Sequence, residues 1–123
     1  MRIARAFAWF CVIALAVLSL IPKDRLIHSD GLVAVPPIPF AEHTLAYFLT
    51  GLVVAVGYSG QYRTSRLVLT LVGYAAVLEL GQYLAPGRSP GLGEFGAGAV
   101  GATLGLFIGE KIWALLRSRM FAA

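Results

Sequence analysis

Four apolar blocks, each about long enough to cross a bilayer, take up most of a chain of only 123 residues. A spanning helix needs about 20 predominantly apolar residues. The blocks run over about 3–21, 41–58, 67–84 and 95–116. Polar exceptions inside them are few. Arg5 lies near the start of the first, Glu42 and His43 stand at the mouth of the second, Glu79 interrupts the third, and Glu110–Lys111 falls near the far end of the fourth. With 59% hydrophobic and 13% charged residues, the chain exceeds what a short soluble core could hide, because soluble domains are nearer half apolar and a quarter charged. The excess requires lipid as a second apolar solvent. The expectation is an all-α membrane protein, a single four-helix domain over 1–123.

The same composition excludes other classes. Ten basic residues give a net charge of +4, but they are scattered between apolar blocks with no basic patch interleaved with aromatics, so no nucleic-acid partner is expected. Cys11 is the lone cysteine and no intrachain disulfide can form, which leaves it as a small packing residue. No cofactor is expected: the glycines lack the strand-and-helix context of a phosphate-binding loop. No metal site is expected either, since His28 and Asp30 in the first connection have no partner at ligand spacing. Arg2 and Arg5 ahead of an apolar stretch resemble a signal peptide, but "LSLIPKDR" offers no convincing small-x-small cleavage site, and an uncleaved first helix is the better reading.

Orientation follows from the basic residues flanking the spans. Arg2, Arg5, Arg63, Arg66, Lys111, Arg117 and Arg119 fall on one side, and Lys23, Arg25 and Arg88 on the other. The richer side should be cytoplasmic, with both termini there. The connections Pro22 to Phe40 and Ala85 to Glu94 then face outward.

Gly93, Ala97, Gly101, Gly105 and Gly109 recur every four residues along one face of the fourth span. Helices in lipid gain little from apolar burial against each other, so close backbone approach supplies more of the association energy. The ladder predicts a tightly packed fourth helix, against a neighbour in the bundle or against a second copy in a homodimer through the Gly101/Gly105 face.

The stretch "LELGQYLAPGRSPGLGEFGAG", residues 78–98, raises the functional question. Glu79 and Gln82 are three apart and project from one helical face. Glu79 lies roughly 7–8 Å from the end of the third span at 1.5 Å per residue. Arg88 follows in the outer loop, Glu94 opens the fourth span, and His43 and Tyr47, four apart, share a face of the second. Polar groups at such depth usually face a cavity or a partner. Arg88 is the expected counter-ion if Glu79 is ionised, through a planar two-point contact. If Glu79 is neutral, Gln82 or His43 would share its proton. The group reads in three ways: a helix lock, an outward-open binding site, or a catalytic site with Glu79 and His43 as acid and base.

"SLIP", "HTLAYFLTGL" and "LELGQYLAPGRSPGLGEFGAGAVGATLG" together resemble the VanZ-like family of small bacterial membrane proteins. The shared marks are a His-x-x-x-Tyr pair opening a helix, a Glu-x-x-Gln followed by Pro-Gly-Arg, and an acidic residue starting a glycine-rich last helix. They fall on His43 and Tyr47, on Glu79 and Gln82, on Pro86, Gly87 and Arg88, and on Glu94 with Gly101 and Gly105. Phe40, Glu94 and Gly98 stand where many members have Lys, Asp and Asn. The resemblance implies a multi-pass protein of the bacterial cytoplasmic (inner) membrane with a cell-envelope role. The family's namesake is associated with tolerance of the glycopeptide teicoplanin. A lipid-linked envelope component or another membrane protein is the partner it points to, besides the bilayer itself.

Three functions compete: a non-enzymatic envelope protein binding a lipid-anchored ligand or partner, a membrane enzyme acting on a head group, and a small dimeric transporter. The apolar lower parts of all four spans leave no polar path through the membrane, which counts against transport. The topology is testable by cysteine labelling with a membrane-impermeant reagent after Cys11 is replaced. A cysteine at Ser89 should label in intact cells and one at Ser59 should not; the reverse pattern would invert the orientation.

Overall fold

Residues 1–21 and 39–122 are described in the computed structural model of the protein. His28 and Asp30 lie outside them, as do Lys23 and Arg25 of the orientation count. Among the described residues the chain forms four α-helices, α1 (Arg2–Leu20), α2 (Pro39–Tyr58), α3 (Thr64–Gly81) and α4 (Leu92–Ala122). A short 3-10 turn, Gln82–Leu84, continues α3. All four helices are long and apolar enough to cross a membrane, and the chain is a multi-pass membrane protein by that measure. The outer surface agrees: Ile3, Phe10, Leu69, Leu80, Leu104, Phe107 and Leu115 are all exposed, as lipid-facing side chains should be.

Starts and ends follow local chemistry. Pro39 opens α2, where its missing N–H has no helical partner to lose. Between α2 and α3 the chain reverses within a few residues, and Gly60 supplies the left-handed conformation at φ +85°. After the 3-10 turn, Ala85–Arg88 forms a type II turn. Pro86 takes its second position, Gly87 at φ +74° its third, and the Arg88 N–H donates to the Ala85 carbonyl at 3.3 Å. Threonines within the helices satisfy themselves: Thr44, Thr50, Thr70 and Thr103 each donate their hydroxyl to the carbonyl four residues earlier. In hydrocarbon, where no water can pair a hydroxyl, that contact removes the cost.

The fourth helix differs from its expected extent. It continues to Ala122 rather than stopping near 116, giving 31 residues. At 1.5 Å per residue that is about 46 Å, against a hydrocarbon core of about 30 Å. The surplus carries Arg117 and Arg119, which no hydrophobicity pattern could place in a helix but which have high helix propensity.

The core is built from small residues. Ala8, Ala55, Ala75 and Ala102 are buried beside Leu15, Val54, Leu71, Leu78 and Leu106. The most extensive helix pair is α2 with α4. Gly98, Gly101, Gly105 and Gly109 are buried on α4. A Cβ on Gly101 would strike the Thr44 carbonyl oxygen and one on Gly105 the Phe48 carbonyl oxygen, both α2 backbone. On Gly109 it would come within 2.7 Å of Leu52 O and Ala55 Cβ. The contact is reciprocal, because a Cβ on Gly51 of α2 would lie 2.5 Å from Ala102 O. The Gly101/Gly105 face is therefore covered within one chain, and a second copy cannot use it while α2 is in place. Of the two packings expected for the ladder, a bundle neighbour or a second copy, α2 is the neighbour these two glycines meet.

Gly73 on α3 provides an internal control, since a Cβ there meets nothing within 4 Å. Gly105→Ala should cost about 1–3 kcal/mol through overpacking. Gly73→Ala should be neutral or stabilise by about 0.5–1 kcal/mol by removing helix-interior glycine. Thermal unfolding of both variants in one detergent checks the contrast, and equal melting temperatures would mean the α2–α4 contact has slack.

Candidate functional site

One end of the bundle gathers nearly all the polar side chains singled out in the sequence. The C-terminal ends of α1 and α3 meet there with the N-terminal ends of α2 and α4. From α2 comes His43, whose Nε2 lies 3.8 Å from Oε2 of Glu94 in the first turn of α4. From α3 comes Glu79, whose Oε1 accepts the Gly91 N–H at 2.6 Å. Gly91 immediately precedes α4, so this carboxylate sits at the positive end of that helix, as does Glu94. Donor atoms of His43, Glu79 and Glu94 all lie within 4.8 Å of one another.

Beside this cluster is a cavity of about 260 Å³. His43 forms part of its wall with Tyr47, Glu42, Ser19 and Arg88, and Leu15, Leu18 and Ala46 line its apolar side. Tyr47 is fixed by contact with the fourth helix: a Cβ on Gly98 would come within 3.0 Å of its ring. Gly98 thus provides the space that the Tyr47 ring needs.

Arg88 does not pair with Glu79, contrary to the sequence expectation. Its Nε donates to the Ile21 carbonyl at 3.1 Å and its Nη2 to the Leu18 carbonyl at 2.7 Å. These are carbonyls at the end of α1, which have no helical N–H of their own to accept. The type II turn at Pro86–Gly87 carries the chain back toward α1, and the positive guanidinium complements the negative end of the α1 dipole. Among the described residues, the one ion pair is His43–Glu94.

Gln82 also departs from the shared face expected with Glu79. It is almost fully buried and its Nε2 donates to Ser19 Oγ at 2.7 Å, while its Oε1 meets no donor among the described residues. Glu79 turns to α4 and Gln82 to α1. Side chains three apart on an α-helix are offset by about 60° around its axis, so the two can meet different helices. Ser19 and Glu42 were not among the expected site residues. Ser19 is the sole hydroxyl of the first apolar block, and that isolation was the available signal.

No protein-family model, curated protein or solved structure matches the chain. The arrangement must therefore be read from its own chemistry. It offers a His–carboxylate dyad, a second carboxylate held by a backbone N–H, and an amphipathic cavity alongside.

The opposite end of the bundle carries a different group. Arg5 Nε donates to the Gly57 carbonyl at 3.0 Å while its guanidinium lies 5.2 Å from the centre of the Tyr58 ring. Trp9 Nε1 donates to the Tyr58 hydroxyl at 2.9 Å. These contacts join α1 to α2, as in an interfacial anchor.

The reassigned role of Arg88 predicts how two substitutions should separate. Glu79→Gln leaves both Arg88 contacts intact and should lower stability by no more than about 1 kcal/mol, the scale of one hydrogen bond. Arg88→Met removes both charged donors from α1 carbonyls and should cost about 2–4 kcal/mol, taking each at the 1.5–3 kcal/mol of a charged hydrogen bond and discounting for exposure. Melting curves of the two purified variants check the order; a larger loss for Glu79→Gln would restore the Glu79–Arg88 pair.

Proposed function

We propose that the protein is a non-enzymatic multi-pass protein of the bacterial cytoplasmic membrane that binds the head group of a lipid-linked envelope component in its polar cavity. The observation that carries this reading is the composition of the cavity wall. Arg88, His43, Tyr47, Glu42 and Ser19 offer charge and hydrogen bonds, while Leu15, Leu18 and Ala46 offer an apolar side. A free polar metabolite would have no use for the apolar side, and a plain acyl chain none for the polar one. A lipid head group with the first carbons of its chain uses both. Arg88 spends two of its five N–H groups on α1, so the other three remain for an anionic head group.

The direction of the bundle supports the envelope side of the reading. Seven of the ten basic residues lie toward the other end, which by the positive-inside rule puts both termini in the cytoplasm and the cavity outside. The resemblance to VanZ-like proteins falls on His43, Tyr47, Glu79, Gln82, Arg88 and Glu94, all at the cavity end. On that ground a link to teicoplanin tolerance, or a partner membrane protein at the same face, belongs to the same proposal.

The His43–Glu94 pair favours a second reading, a membrane enzyme in which imidazole and carboxylate move a proton on a bound head group. The sequence pairing of Glu79 with His43 then gives way to Glu94 as the nearer partner.

The test is lipid binding by the full chain in nanodiscs, read by native mass spectrometry with phosphatidylglycerol and a polyprenyl phosphate as probes. Ala46→Phe fills the cavity without touching a polar group and should weaken retention of the preferred lipid at least tenfold, with the melting temperature changed by only a few degrees. Equal retention by both proteins would remove the cavity from the function. A changed mass of the bound lipid over time would select the enzyme.

A further inference from the structure

The cluster of His43, Glu79 and Glu94 brings two carboxylates and an imidazole together from three helices. Two carboxylates from different helices bring donor atoms within 4.8 Å of each other and of the imidazole. Neither has a Lys or Arg within salt-bridge distance among the described residues, and Arg88, the nearest cation in sequence, directs two N–H groups to α1 carbonyls instead. Like charges this close to a low-dielectric region repel strongly unless a cation lies between them. Glu79 and Glu94 reach the spot from α3 and α4, and His43 from α2, so three helices converge on it.

We propose that His43, Glu79 and Glu94 form a binding site for a divalent transition cation of the zinc class. One imidazole nitrogen with two carboxylate oxygens is a donor set for zinc or manganese rather than for magnesium or calcium, which take all-oxygen shells. Three protein ligands are one fewer than a closed structural zinc site has, so a coordination position stays open. His43 is shared between the cluster and the 260 Å³ cavity, which provides room for a water or ligand oxygen at that position. The Gly91 N–H holds one oxygen of Glu79 at 2.6 Å and so orients its carboxylate as outer-shell partners of metal ligands do. The other oxygen is then available for the metal. The donor atoms are somewhat wider apart than in a loaded tetrahedral shell, so small side-chain rotations complete it.

This inference does not depend on lipid binding, and metal uptake is measured without any lipid ligand. The full chain in nanodiscs, stripped with chelator, is titrated with Zn²⁺ against a chromophoric competitor, and its metal content is read by elemental analysis. One Zn²⁺ per chain is expected, undisturbed by millimolar Mg²⁺. His43→Ala, Glu79→Gln and Glu94→Gln should each weaken binding at least tenfold. Glu42→Gln, at the cavity wall, and His28→Ala, the only other histidine, should bind like the parent. Should a ligand variant fail to fold, Co²⁺ added to the parent protein gives an independent reading through the visible absorption of a four- or five-coordinate site. Absence of stoichiometric uptake, uptake that survives all three ligand substitutions, loss with His28→Ala alone, or a colourless Co²⁺ complex would each overturn the site.

Discussion

The near-contact of two backbones, α2 and α4, sets the position of everything else in this bundle. Water drives apolar side chains together in a soluble protein, but lipid tails are as apolar as leucine and provide no such force. What remains is dispersion, which decays steeply with separation and so rewards helices that touch over a long line. Gly101, Gly105 and Gly109 on one side and Gly51 on the other remove the side chains that would hold the axes apart. The line of contact runs to the N-terminal ends of both helices, where Phe40 packs on Gly93. His43 and Glu94 can therefore face each other only because glycines further along the pair have brought the two helices together.

Much of the architecture could be read from the chain because membrane spans are written in long apolar runs. The four helices fall on the four blocks, with ends displaced by a few residues. Side-chain direction at the end of α3 was less legible. Helical spacing put Glu79 and Gln82 on one face, yet the offset of about 60° between them lets each meet a different neighbour. Arg88 posed a related difficulty. Opposite charges in the same loop suggest each other, whereas the guanidinium here answers a demand that no side chain advertises, the bare carbonyls at the end of α1. His43, Glu79 and Glu94 stood out in the sequence as candidates at one end of the bundle. The direct approach of His43 to Glu94 did not, because the two lie on different helices far apart in the chain.

Glu79, Gln82 and Glu94, in the stretch from Leu78 to Gly98, each meet a different neighbour. Glu79 pairs with a backbone N–H at the start of α4, Gln82 with Ser19 of α1, and Glu94 with His43 of α2. Pro86 and Gly87 make the turn that delivers Arg88 to α1. A single segment thus reaches the other helices at one end of the bundle.

The four helices are not held equally. Only Ala8 and Leu15 of α1 are buried, and polar tethers do much of the work of fixing it: Arg5 to Gly57 and Trp9 to Tyr58 at one end, Tyr74 to the Val12 carbonyl in the middle, Gln82 and Arg88 at the other end. Such tethers resist sliding and rotation but yield to a small outward swing more readily than interlocked glycines do. Leu15, Leu18 and Ser19 of this same helix form one wall of the cavity. An amphiphile dissolved in the leaflet would thus meet a wall that is also the most weakly seated member of the bundle. If the cavity takes a lipid head group as proposed, sideways entry from the bilayer past α1 is the route this seating favours.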